Sequence, residues 1–219
     1  MQNADAGNYS GGGILILLPG SESGAIIRPD VHITIPNDCG QFSPHDSRAL
    51  ATIYRDILTG IKNPLVGELG CWIGSSTIAT AREITKYGGS LIAIDWFKGS
   101  TGVNKHLAEL AGKNDIFNTF MENIKWAGIK NVSILRMDSE TASKIVGNRT
   151  FDVFFIDGDH EYEFVGQDIK LWLQKVKKGG VLCGHDYNKS HPGVIKAVGE
   201  AFEGKEKTYT KANIWWVKV

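Results

Sequence analysis

The chain has 219 residues, 42% hydrophobic and 22% charged, which suits one domain with a short extension and a sizeable core. Lys+Arg and Asp+Glu each number 24, and this zero formal charge argues against a general nucleic-acid-binding surface. The apolar run 14–18 is far shorter than the roughly 20 residues of a membrane span, and no basic leader precedes it, so neither a membrane segment nor a signal peptide is expected.

Residues 1–13 are polar, end in Gly11-Gly12-Gly13 and read as a flexible leader. Residues 14–18 suit a strand stopped by Pro19-Gly20, and residues 25–35 suit edge-type β structure around Pro29. Residues 1–42 thus form an N-terminal extension of leader and β segments, and its 25–35 segment reads either as a hairpin over a site or as an oligomer contact. Ser43-Pro44-His45-Asp46 is a helix start, with Ser as N-cap and Pro at the first helical position, and Gly60 ends that helix. Strand and helix then alternate. Strands are expected at 65–69, 90–94, 132–136, 151–156 and 181–183, and helices at 75–87, 104–126 with a break near Gly112, 139–146, 161–176 and 192–202. Gly179-Gly180 is expected to close the 161–176 helix, and two β runs, 208–211 and 214–218, close the chain. This order predicts an α/β fold: a doubly wound, Rossmann-like sheet of seven strands, mostly parallel, with an antiparallel C-terminal hairpin. Cys39, Cys71 and Cys183 are scattered and odd in number, so reduced thiols in a cytoplasmic protein are expected, with no zinc spacing.

In open α/β sheets, ligands bind outside the carboxyl ends of the strands. The first strand here runs into Glu68-Leu69-Gly70-Cys71-Trp72-Ile73-Gly74-Ser75-Ser76, a glycine turn that opens a helix. Such a turn bares backbone, and a helix start offers free N–H groups to a polar ligand. The other strands end in Asp95, Asp138, Asp157 with Asp159 and His160, and His185-Asp186. Acids at all five strand ends point to a site on one rim. Asp95 suits the two hydroxyls of a ribose, with an ordinary loop acid as the alternative. The turn is Gly-x-x-x-Gly after a Glu and lacks the G-x-G-x-x-G that a pyrophosphate needs, which favours S-adenosylmethionine over NAD. Glu68 would then face the ammonium of the amino acid tail, and Asp138 with Ser139 the adenine.

Glu68–Ser76, Ile94-Asp95, Met137-Asp138-Ser139 and Phe155-Ile156-Asp157-Gly158-Asp159-His160, followed by Gly179-Gly180 and His185-Asp186-Tyr187, together resemble the motifs of class I S-adenosylmethionine-dependent methyltransferases, in particular methyltransferase domain family 24. That family is related to catechol, caffeoyl-CoA and macrolide-sugar O-methyltransferases. The resemblance covers residues 43–219. It implies a donor site built from Glu68, Gly70, Trp72, Gly74, Ser75, Ser76, Asp95, Trp96, Asp138, Ser139 and Asp157.

The resemblance also implies a divalent metal, Mg²⁺ or Mn²⁺, on Asp157 and Asp186, where it would lower the pKa of an acceptor hydroxyl. His185 departs from the relatives, which carry an acid there, and a His ligand favours Mn²⁺, Fe²⁺ or Zn²⁺. The alternative is a pair of buried acids without metal. His160, three residues after Asp157, stands where sugar-modifying relatives carry a general base, so the catalytic expectation rests on His160 and Asp157. His32, His45, His106 and His191 have no partners apparent in sequence and read as surface or satisfied histidines. The loop 96–102 mixes aromatics, glycines and hydroxyls and suits a lid. The expected reaction is O-methylation of a small-molecule or saccharide acceptor, with a homo-oligomer as a further expectation. An NAD-dependent oxidoreductase and a non-catalytic nucleoside-binding protein are the rivals.

Overall fold

Hydrophobic periodicity alternates between strand and helix along this chain, and the computed structural model follows it. The structure describes residues 15–17, 42–204 and 208–219. The strands are β1 (Leu15–Leu17), β2 (Leu65–Leu69), β3 (Ser90–Asp95), β4 (Val132–Arg136), β5 (Phe151–Ile156), β6 (Val176–Gly184), β7 (Tyr209–Lys211) and β8 (Ile214–Lys218). The helices are α1 (Pro44–Leu58), α2 (Ser75–Thr85), α3 (Lys105–Lys113), α4 (Ile116–Trp126), α5 (Ser139–Ile145), α6 (Tyr162–Leu173) and α7 (Pro192–Phe202).

Among the described residues one sheet forms, in the order β1-β4-β3-β2-β5-β6-β8-β7. The strands β4, β3, β2, β5 and β6 are mutually parallel, while β8 and β7 close the sheet as an antiparallel pair. These are the seven strands expected. An eighth, β1, pairs antiparallel with the outer edge of β4. The chain leaves β2 toward β3 and β4, then returns to β5 on the other side of β2. That reversal makes a crevice between the carboxyl ends of β2 and β5.

Helices cover both faces. Leu50, Ile53 and Tyr54 of α1, Ile78 and Ile84 of α2, and Phe120 and Ile124 of α4 pack on one face of the sheet. Ala142 of α5, Val165, Ile169 and Trp172 of α6, and Val194 and Val198 of α7 pack on the other. Phe154 and Trp172 stack with centroids 4.3 Å apart. Ser43 caps α1, its Oγ accepting from the Asp46 N–H at 3.1 Å, as the start signal predicts.

Two boundaries differ from expectation. The α3–α4 break falls at Asn114–Asp115 and not at Gly112, because the Asp115 side chain caps α4 by accepting from Asn118 N–H. Gly179-Gly180 does not close α6, which ends at Leu173; the glycines lie within β6, where the Gly179 N–H donates to Val219 O at 2.5 Å and Gly180 O accepts from Val219 N–H at 2.9 Å. The expected β structure at 25–35, the leader, His32 and Cys39 lie outside the described residues. Cys71 and Cys183 are free and buried. No helix among the described residues is long and apolar enough to cross a membrane.

One acid is sealed into the fold. Glu68 sits in β2 with no exposed surface, its Oε1 accepts from Ser76 Oγ, and its Oε2 has no hydrogen-bond partner among the described residues. Burial pushes its carboxyl up to about 8, against the opposing pull of Ser76 and Thr77. A carboxyl whose folded pKa is raised stabilises the fold fully below its unfolded value near 4.5, and that contribution is lost as pH rises through about 8. Glu68→Gln removes this titration. Urea melts from pH 6 to pH 9 are expected to show a shallower loss of stability in the variant than in the wild type. Equal slopes would mean that Glu68 is already ionised in the folded protein.

Candidate active site

The glycine turn is built around a carboxylate. Asp95, at the end of β3, is 8% exposed. Its Oδ2 accepts from the N–H groups of Cys71 and Trp72, each at 2.8 Å, and its Oδ1 from that of Phe97 at 2.6 Å. Trp72 and Phe97 both have positive φ, 46° and 58°, so these bonds hold backbone that an L-residue seldom adopts. Gly70 has φ 86°, and a Cβ there would lie 1.9 Å from Asp157 O. The ends of β2 and β5 therefore touch backbone to backbone, and only glycine fits between them. Burial raises the Asp95 pKa, opposed by the three N–H donors.

A cavity of about 500 Å³ opens above this turn. Gly70, Trp72, Ser75, Ser76, Asp95, Trp96, Asp138, Ser139, Asp157, His160, His185 and Asp186 all line it. Of the residues expected from sequence, Glu68 and Gly74 do not. Glu68 is enclosed beneath the turn and reaches the wall only through Ser76, so the structure brings no Glu68 carboxylate to a ligand's ammonium. Gly74 is the left-handed N-cap of α2, at φ 96°.

Asp138 caps α5, with Oδ1 accepting from Thr141 N–H and Oδ2 from Thr141 Oγ1. Although partial burial opposes it, those two bonds lower its pKa. Trp172 Nε1 donates to Ser139 Oγ at 2.9 Å, and Ser139 Oγ donates to Asp168 Oδ1 at 2.5 Å. Asp168 is a wall residue that the sequence reading missed; burial pushes it up to about 7. Its place in α6 carries no strand-end signal. Trp96 is 43% exposed at the mouth, its Nε1 donating to Gly99 O.

At the other end of the cavity, acids and imidazoles converge. His160 Nε2 lies 2.7 Å from Asp186 Oδ2 and 3.7 Å from Asp157 Oδ1. His185 Nδ1 lies 3.4 Å from both Asp157 Oδ1 and Asp186 Oδ2. His191 joins them, with Nδ1 3.4 Å from Asp186 Oδ1 and its ring 4.9 Å from that of His160. His191, read in sequence as a surface or satisfied histidine, is thus part of this cluster; it is the N-cap of α7 at the end of the loop after β6. His106 also lines the cavity, whereas His45 is exposed.

Burial opposes charge on both imidazoles, but the two acids outweigh it and raise His160 to about 10 and His185 to about 11. Burial likewise opposes ionisation of Asp157 and Asp186, and the histidines hold both below the usual carboxylate range. Two carboxylates held this close need positive charge between them. His160 Nε2, His185 Nε2 and His191 Nδ1 are buried with no aligned hydrogen bond among the described residues. Ligand atoms of Asp157, His185 and Asp186 all lie within 4.8 Å of one another. Two carboxylate oxygens and an imidazole nitrogen in that arrangement fit a divalent cation.

The loop after β3 is tied to this centre. Thr101 donates to Asp159 Oδ2 through its N–H at 2.8 Å and its Oγ1 at 2.7 Å, while Asp159 Oδ1 accepts from Glu161 N–H. Asp159 is thus committed to the loop. Asn104 Nδ2 contacts His160 Nδ1 and fixes the face of that ring. A separation of 56 in sequence hides this contact from sequence reading.

Residues 68–187, more than half of the chain, match the family model described as a methyltransferase domain. The O-methyltransferase NovP superposes with a TM-score of 0.62 at 18% identity, covering 78% of each chain. TomG from Streptomyces achromogenes, an O-methyltransferase of tomaymycin synthesis solved with S-adenosylmethionine, gives 0.61 at 15% identity over 84% of this chain and 82% of its own. A TDP-rhamnose 3'-O-methyltransferase of calicheamicin biosynthesis gives 0.55 at 14% identity over 80% and 81%. At such identities the likeness establishes the fold alone. A 64-residue stretch is 38% identical to an uncharacterized protein of Acanthamoeba polyphaga mimivirus; the match spans 26% of this chain and 29% of that relative. From the domain match, the chain belongs to the methyltransferase domain family and is an enzyme of the S-adenosylmethionine-dependent methyltransferase class.

Proposed function

We propose that this enzyme transfers the sulfonium methyl of S-adenosylmethionine to a hydroxyl oxygen of a small-molecule or saccharide acceptor, with help from a divalent metal. The observation that carries the reading is one cavity with two different ends: Asp95 and Ser139 at one, and Asp157, His160, His185 and Asp186 at the other. Asp95 suits the ribose hydroxyls, since a carboxylate already fixed by three N–H groups can accept further bonds without reorganising. Asp138 and Ser139 border the adenine, and the Gly70–Ser76 turn borders the amino acid tail.

Asp157, His185 and Asp186 are the residues that would hold the metal. A bound divalent ion lowers the pKa of an acceptor hydroxyl. His160 Nε2 faces the same acids, which hold it protonated up to about 10; a cation on those acids would oppose that charge and leave the neutral ring placed to take the hydroxyl proton. Held by Asn104 on its other nitrogen, the ring keeps one nitrogen toward the acceptor. Alignment of the two reactants then supplies much of the rate. The TDP-rhamnose acceptor named for one relative of the fold, and the half-exposed Trp96 and Phe164 in the cavity lining, support a saccharide over a compact apolar acceptor.

Three outcomes test this. Asp95→Ala is expected to weaken S-adenosylmethionine binding by about tenfold or more in calorimetry, the loss of roughly one charge-assisted hydrogen bond; unchanged affinity in a folded variant would remove Asp95 from the site. His160→Ala is expected to slow methyl transfer by about 100-fold or more with cofactor affinity intact, and a normal rate on the true acceptor would reject it as base. Chelation with EDTA is expected to lower activity, and added divalent ion to restore it. An EDTA-insensitive enzyme would leave Asp157 and Asp186 as hydrogen-bonding acids.

A further inference from the structure

Behind His185 stands an acid that the reaction as described does not use. Asp46, in the first turn of α1, is only 4% exposed. Its Oδ2 lies 3.5 Å from His185 Nε2, the ring nitrogen that faces away from Asp157 and Asp186. Ser43 Oγ donates to the same oxygen at 2.5 Å, and Asn213 Nδ2 donates to Oδ1 at 3.2 Å. The carboxylate is thus fixed from two sides, by the α1 cap and by the β7–β8 turn. Among the described residues its remaining ion-pair contact is the exposed His45 at 3.9 Å. Phe42 packs its ring 4.6 Å from that of His185 and limits its tilt.

The 3.5 Å contact between Asp46 and His185 is an ion-pair distance and not an aligned hydrogen bond, but a carboxylate on that side favours the proton on Nε2 and leaves the Nδ1 lone pair on the other side. Here that other side is occupied by Asp157 Oδ1 and Asp186 Oδ2, both 3.4 Å from Nδ1. A carboxylate behind a histidine also raises its basicity as a ligand. Nitrogen donors favour zinc, iron and nickel, whereas magnesium and calcium favour oxygen alone.

We propose that Asp46 is a positioning residue that aims His185 Nδ1 between Asp157 and Asp186, and that the site so formed takes a nitrogen-preferring first-row ion of the zinc type ahead of magnesium. This deepens the metal-assisted reading above and rests on it. Asp46 touches no reacting atom; it acts through the imidazole.

The test is calorimetric titration of the EDTA-stripped full chain with ZnCl₂ and, separately, MgCl₂, for wild type, Asp46→Asn and His185→Asn. Asp46→Asn is expected to weaken Zn²⁺ binding by about 10- to 100-fold, the usual cost of losing the partner behind a ligating histidine. His185→Asn is expected to lose at least as much. Magnesium affinity is expected to stay within about threefold in both variants, since an oxygen-seeking ion does not depend on the imidazole. That split separates positioning from general damage, which would weaken both ions alike and overturn the proposal. Zn²⁺ binding that falls in His185→Asn but is untouched in Asp46→Asn would overturn the role of Asp46. Zn²⁺ binding unchanged in both would overturn His185 as a donor. A wild-type chain that binds neither ion would reject the metal reading itself. Should Asp46→Asn fail to fold, Asn213→Ala frees one side of the same carboxylate, and the same selective loss of zinc affinity is expected, smaller in size.

Discussion

Three backbone N–H groups converge on one buried carboxylate, and the donor half of the site depends on that convergence. Cys71 and Trp72 come from the turn after β2, and Phe97 comes from the loop after β3. Each hydrogen bond to a charged group contributes roughly 1.5–3 kcal/mol. Set against that is the cost of burying Asp95 and of holding Trp72 and Phe97 at positive φ. The balance fixes two strand ends relative to each other without any contact from a ligand. The cradle is therefore formed before the cofactor arrives, and little binding energy is spent on ordering it.

The second half of the site is organised by charge. Two carboxylates at the ends of β5 and β6 are brought together by strand pairing, because Ile156 registers with Gly184 and the chain turns upward from both. Imidazoles arrive from three places: His160 after β5, His185 after β6 and His191 at the start of α7. The Gly70 turn joins the two halves, for Gly70 sits against the Asp157 carbonyl. A shift in the donor cradle would thus be felt at the acid pair, and in the proposed function this would couple cofactor placement to the acceptor hydroxyl. Thr101 and Asn104 extend the same coupling to the loop after β3.

Much of this was legible in the chain because strand ends are close in space whenever strands are parallel. Asp95, Asp157, His160, His185 and Asp186 each follow an apolar run, and topology alone gathers them. Sequence reading failed where that rule does not apply. Asp46 looked like a helix-start acid, and it is one; its second role depends on α1 lying against the β6 end, which spacing does not encode. Asp168 belongs to α6, His191 caps α7 and Asn104 ends a short 3-10 turn, so their contacts at the cavity follow from packing. Glu68 was misplaced for a different reason. Its position next to the glycine turn suggested contact with a ligand, but strand alternation points its side chain into the core, toward Ser76. The β6 glycines resemble a helix stop in sequence, because their pairing with the chain end at Val219 is a long-range event.

In the proposed function one cavity would hold the methyl donor at Asp95, with its sulfur toward the acids and imidazoles at the other end. A crystal structure with S-adenosylhomocysteine tests it most directly. Ribose hydroxyls are expected within hydrogen-bond distance of Asp95, adenine beside Ser139, and the sulfur directed at Asp157 and His160. A ligand bound with its ribose away from Asp95, or with its sulfur turned from the Asp157–Asp186 pair, would contradict it.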